Sequence, residues 1–154
     1  MESEAEVRGP EPLLVAVTVR CSPEKAFEVF TTRIGSWWPF HRYSIYQENA
    51  TGCVLEGWVG GKVYETAKSG ERGLWGEILA WEPPRRFVMA WHPGRDPSAP
   101  TEVELRFSAV PEGTRVELTH RNWGRLGADA EAARARYEGG WPHVLGRCFA
   151  DACG

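Results

Sequence analysis

The clearest order in this chain is an alternation of apolar and polar residues. Val103, Leu105 and Phe107 share one parity, while Glu102, Glu104 and Arg106 share the other. Val116, Leu118 and His120 oppose Arg115, Glu117, Thr119 and Arg121 in the same way. A period of two puts one set on a buried face and the other in water, as an antiparallel sheet covered on one side requires. By this pattern and β-propensity, strands are predicted over Leu13–Arg20, Thr51–Trp58, Lys62–Ala67, Gly73–Trp81, Arg86–His92, Thr101–Val110 and Thr114–Asn122. The links among the last six are short and carry Gly, Pro or both, so antiparallel hairpins are expected.

Two stretches depart from that period. After the first strand, Ser22 is placed to cap a helix, Pro23 suits its first position and Glu24 its first turn. Ala26, Phe27, Val29, Phe30 and Ile34 then share one side, Gly35 closes the helix, and a short second helix is expected in the aromatic stretch beyond Trp37-Trp38-Pro39. Near the C-terminal end, Ala133, Tyr137, Trp141, Val144, Leu145, Cys148, Phe149 and Ala152 recur at helical spacing. Pro142 is expected in the first turn of the final helix, after a separate or kinked helix from about Asp129 to Glu138. The whole is α+β: a seven-stranded curved antiparallel sheet wrapped around a long C-terminal helix, with two short helices after the first strand.

Composition narrows the classes. The 154 residues suit one domain, placed at 13–154 behind a disordered leader at 1–12. A net charge of −3 gives no basic face for nucleic acid. No apolar run approaches the roughly 20 residues of a membrane span, and the first residues lack a secretory pattern, so a cytoplasmic location is expected. Four cysteines without a Cys-x-x-Cys pair read as reduced thiols. The histidines lack metal-ligand spacing, and neither a metal nor a cofactor is implied. Eight tryptophans, spread over nearly every element, point instead to a shared aromatic interior in which each buried ring N–H needs a partner.

Several local sequences carry a resemblance. They are Cys21–Phe30, Ser36-Trp37-Trp38-Pro39, Val59–Glu65, Gly76–Phe87, Val116–His120 and Gly140–Leu145. In this order they resemble the helix-grip superfamily (START-like, birch-pollen-allergen-like), in the branch named for homologues of the heat-shock-protein-90 ATPase activator. The resemblance implies a cavity between the sheet and the C-terminal helix, often for hydrophobic ligands. The full cochaperone carries a further N-terminal domain with no counterpart in this sequence, so ATPase activation is not the first expectation.

Period and placement then single out a lining. Trp91 follows Phe87 and Met89, His120 follows Val116 and Leu118, Trp141 and Leu145 face the sheet from the helix, and Trp37, Trp38 and Phe40 stand at the mouth. His41, with Arg42 and Tyr43, falls where a polar head group could be met, whereas His92 reads as part of a solvated turn and His143 as turned away from Trp141. Parity leaves Glu56 and Glu65 able to face either way, with Glu77 subject to a bulge near Trp75-Gly76; the solvent-facing placement is preferred for all three. The expected function is non-catalytic binding of a small hydrophobic or aromatic molecule. The alternative is a cyclase- or dehydratase-like enzyme acting on a polyketide-like or aromatic substrate through an inward His or Glu. A third reading is a homodimeric interaction module using aromatics exposed near Trp37-Trp38, or a chaperone ATPase activator.

Overall fold

A computed structural model describes residues 9–154. The strands are β1 (Leu13–Val19), β2 (Ala50–Leu55), β3 (Lys62–Ala67), β4 (Arg72–Glu82), β5 (Arg86–Trp91), β6 (Thr101–Val110) and β7 (Gly113–Arg121). They form one antiparallel sheet in the order β1-β7-β6-β5-β4-β3-β2, so the first strand closes against the last. The alternation read from the sequence sets the register: Val103 pairs with His120, Leu105 with Leu118 and Phe107 with Val116, all buried on the helix side. On the opposite face Glu104 accepts hydrogen bonds from Arg86 and Arg121. Burial works to raise that carboxyl, but these two guanidiniums and that of Arg106 outweigh it and hold it below the usual range.

Helix α1 (Pro23–Phe30) starts as expected, with the Ser22 hydroxyl accepting from the Lys25 N–H at 3.2 Å. It ends one turn early: the Thr31 hydroxyl donates to the Phe27 carbonyl, and Ile34 instead begins a 3₁₀ turn, Ile34–Ser36. The expected second short helix is represented only by that turn and another at Gln47–Asn49. Strand β2 stops at Leu55, because the Glu56 carboxylate takes the Lys62 N–H and the following turn bonds to Ile78 of β4.

The C-terminal segment corrects the reading of Pro142. One helical run begins at α2 (Ala130–His143), widens into a π turn (Val144–Phe149) and ends in α3 (Ala150–Cys153), with Pro142 inside it. Proline removes an i→i−4 bond, and a wider turn is one way for a helix to absorb that loss. The extra residue also shifts the buried stripe, so Phe149 and Cys153 are buried while Cys148 is half-buried and Ala152 exposed.

Two bulges in β4 act similarly. Val63 pairs with Gly76 but Tyr64 with Leu74, leaving Trp75 as the extra residue; Leu79 is extra opposite β5. Trp75 and Gly76 therefore both lie on the helix side. A Cβ on Gly76 would collide with the Ala90 carbonyl of β5, so only glycine fits there.

Most of the leader expected over residues 1–12 lies outside the described residues; within it, the Glu11 and Pro12 carbonyls accept from Arg134 of α2. Among the described residues no helix is long and apolar enough to cross a membrane.

Candidate functional site

Between the sheet and α2 lies a cavity of about 810 Å³, within the range of small-molecule sites. Its walls include Trp38, Trp75, Trp91 and Trp141, with Tyr43 and Tyr137. Trp38 packs 4.9 Å from Trp75, and Trp91 5.5 Å from Trp141, between ring centroids. Trp91 and Trp141, placed in the lining from strand and helix, touch each other and form one aromatic wall.

Each of these four indoles donates its N–H to the protein. Trp38 donates to the Tyr43 carbonyl at 2.7 Å, Trp75 to Glu65 Oε1 at 2.7 Å, Trp91 to Tyr137 Oη at 3.0 Å and Trp141 to His120 Nδ1 at 3.0 Å. The rings are thereby fixed in orientation, and all four are buried, packing on one another beside the cavity.

Glu65 is fully buried, a correction to its preferred solvent-facing placement. Besides Trp75, its carboxylate accepts the Ile45 N–H at 2.7 Å and the Tyr46 N–H at 2.9 Å. It ties the irregular segment carrying Tyr43, Ser44 and Ile45, all in the cavity wall, onto β3. With three donors on two oxygens it is a structural anchor rather than a free base. Glu56 is spent on the Lys62 N–H, and Glu77 faces solvent in an ion pair with Lys62 at 2.9 Å.

His120 is also fully buried and lies behind Trp141, outside the cavity lining. An indole N–H can only donate, so Nδ1 must be the acceptor and Nε2 carries the proton. Nε2 then donates to Thr101 Oγ1 at 2.7 Å, whose hydroxyl donates to the Trp91 carbonyl at 3.2 Å. Burial, and secondarily the Arg95 charge, lowers the imidazole to about 3. It is neutral at physiological pH and closes a chain linking Trp141 to Trp91. His92 is buried too rather than in a solvated turn: its backbone N–H bonds the Trp75 carbonyl at 2.6 Å, and burial lowers its ring pKa.

Of the other residues singled out, Trp37 donates to the Val29 carbonyl at 2.8 Å and packs on Phe30 and Phe149 behind Trp38. Phe40 and Leu145 belong to the core outside the lining, and His41 is exposed outside it. Trp38 is buried and Trp37 half-buried, so the pair is not the exposed aromatic face envisaged for a dimer; the exposed tryptophan is Trp58. Burial raises the thiols of Cys53 and Cys148, and that of Cys153 to about 12, which keeps them un-ionised. Among the described residues no three His, Cys, Asp or Glu side chains are gathered as a metal site would need.

The sequence reading missed Trp75, Tyr137 and the rim arginines Arg95 and Arg136. Trp75 is turned in by a bulge, whose possible effect on facing was visible only as the Trp75-Gly76 pair. Tyr137 sits one helical turn before Trp141 on the stripe already recognised.

A curved antiparallel sheet gripping a C-terminal helix over an internal cavity defines a helix-grip protein. Residues 20–152 match the model of the family described as activator of Hsp90 ATPase homolog 1-like protein, and the chain belongs to that family. Among solved structures, the anthrahydroquino-gamma-pyrone synthase Txn09 is 33% identical, over 93% of this chain and 97% of that one, with a TM-score of 0.66. Protein MLL2253 from Mesorhizobium loti is 18% identical over 90% and 93%, with a TM-score of 0.66. The Aha1 dimer from Colwellia psychrerythraea is 21% identical over 87% and 90%, with a TM-score of 0.61. These last two likenesses are of fold alone. No curated protein matches the chain.

Two predictions follow from the geometry. Glu65→Gln places an amide NH₂ against an N–H donor and is expected to cost about 2–3 kcal/mol. Hydrogen exchange at the Ile45 and Tyr46 amides should accelerate with it, and unchanged exchange would refute the anchoring role. For His120, the folded pKa lies below the ordinary 6.5. The unfolded chain therefore takes a proton that the native state refuses. Stability from this group is complete above pH 6.5 and falls as pH drops towards 3, by up to about 1.4 kcal/mol per unit. Urea midpoints measured from neutral pH to about pH 5 should show a shallower loss in His120→Gln than in the parent.

Proposed function

We propose that this protein binds a flat aromatic small molecule in the cavity between the sheet and α2. The observation that carries the reading is the wall itself: four indoles held by their own N–H bonds along one side of a half-open cavity of about 810 Å³. A ring system entering it exchanges hydration for contact with preorganised faces. Offset or edge-on aromatic contacts contribute about 0.5–1.5 kcal/mol each beyond area burial. The likeness to Txn09 supports a polycyclic ligand of the aromatic polyketide type.

The test is titration of anthracene-2-carboxamide while tryptophan emission is recorded. Saturable one-to-one quenching is expected, weakened about tenfold or more by Trp91→Leu or Trp141→Leu and unaffected by Trp58→Leu on the exposed turn. Absence of saturable binding would overturn the reading.

A second reading, catalysis of ring closure, is favoured by one detail beyond that likeness. Tyr137 Oη accepts from Trp91, so the phenol's own proton is free for a substrate oxygen. Burial raises that hydroxyl's pKa despite the opposing Trp91 bond and the charges of Arg95 and Arg136, which keeps it a donor near pH 7. If it serves as a general acid, Tyr137→Phe should slow cyclisation of an aromatic 1,3-diketone about 100-fold. If the parent protein gives no turnover above buffer, binding stands alone.

A further inference from the structure

The cavity walls are short of polar groups that a ligand could use. The N–H groups of Trp38, Trp75, Trp91 and Trp141 are all committed to the protein. Polar recognition therefore falls to the rim and to the phenols of Tyr43 and Tyr137. The rim holds Arg42, Arg95 and Arg136 against one carboxylate, Asp129, a net charge of +2 in a chain whose total is −3. None of the three arginines forms an ion pair among the described residues.

Their roles differ. Arg95 is held by the Trp91 carbonyl at 3.0 Å and the Ala99 carbonyl at 3.4 Å, which fix the guanidinium without neutralising it. Arg136 and Arg42 are exposed, and Arg42 lies 5.4 Å from the centre of the Tyr43 ring. Arg95, Arg136 and Tyr137 all line this cavity, which brings two charges and an uncommitted O–H to one site. Fixed positive charge at the mouth of a low-dielectric cleft draws in anions and strengthens hydrogen bonds to them. A purely apolar guest would leave these charges uncompensated.

We propose that the cavity selects an aromatic acid: a planar ring system carrying an anionic oxygen that meets the Tyr137 O–H and the guanidiniums of Arg95 and Arg136, with Arg42 adding charge at the rim. This rests on the aromatic-binding reading and adds the sign and position of the ligand's charge.

Calorimetry with anthracene-2-carboxylate and its uncharged carboxamide, near pH 7 at low and high salt, tests it. The carboxylate should bind about tenfold or more tighter at low salt, and the gap should shrink with salt. Arg42→Gln and Arg136→Gln are exposed changes that should leave the melting temperature unmoved. Together they should remove most of the gap while sparing the carboxamide, and Tyr137→Phe should narrow it too. Equal affinity of the two probes for the parent protein would overturn the proposal and leave the aromatic pocket standing. So would a gap that the double Arg42→Gln/Arg136→Gln variant leaves undiminished. If neither probe binds, the aromatic-binding reading fails and this proposal with it.

Discussion

A buried indole carries a donor that is costly to leave unpaired, and much of this protein is arranged around that cost, the buried Trp123 N–H being left without a partner among the described residues. Five of its tryptophans solve it with an identifiable partner: a helix carbonyl for Trp37, a loop carbonyl for Trp38, a carboxylate for Trp75, a phenol for Trp91 and an imidazole for Trp141. Three of the partners lie on other strands or on the helix, so those bonds also join parts of the fold. Trp91 ties β5 to α2, Trp141 ties α2 to β7, and Trp75 ties β4 to β3. The cavity keeps its shape because its wall rings are also its cross-braces.

Holding large rings in these places requires departures from regular backbone. The Trp75 bulge lets two successive β4 residues face the helix, and Gly76 provides the space a side chain would deny. The π turn after Pro142 shifts helix phase so that Leu145 and Phe149 continue the buried stripe begun by Trp141. At Gly140 a Cβ would come within 3.3 Å of the Tyr43 ring, so glycine lets the helix approach the segment anchored by Glu65. Each irregularity lies in or beside the cavity wall, where function and regular packing most often compete.

The elements were legible because their periods are long and consistent. β3 and β6 begin and end where alternation said they would, and the inward face of β7 follows from parity alone. What escaped the sequence were places where one inserted residue changes the face. Trp75 reads as a strand-end residue until the bulge is seen, and by helical spacing Cys148 and Ala152 join Phe149 on the stripe, whereas past the π turn only Phe149 and Cys153 are buried. Glu65 and His92 were misplaced for another reason. Polar residues are assigned to solvent by default, and the donors that make Glu65 tolerable inside come from residues twenty and ten positions away. Arginines from three separate segments meet at one rim only once the chain is folded.

Hydrogen-bond satisfaction also bears on what chemistry the site can do. The two buried groups that most resembled catalysts are both occupied: His120 is neutral and bonded at both ring nitrogens, and Glu65 has its oxygens filled. Proton transfer by either would break a bond that supports a wall ring. The uncommitted Tyr137 proton and the charged rim stand apart from those supports. Aromatic packing in the interior and charge at the mouth are therefore carried by different residues, so the two properties can change independently.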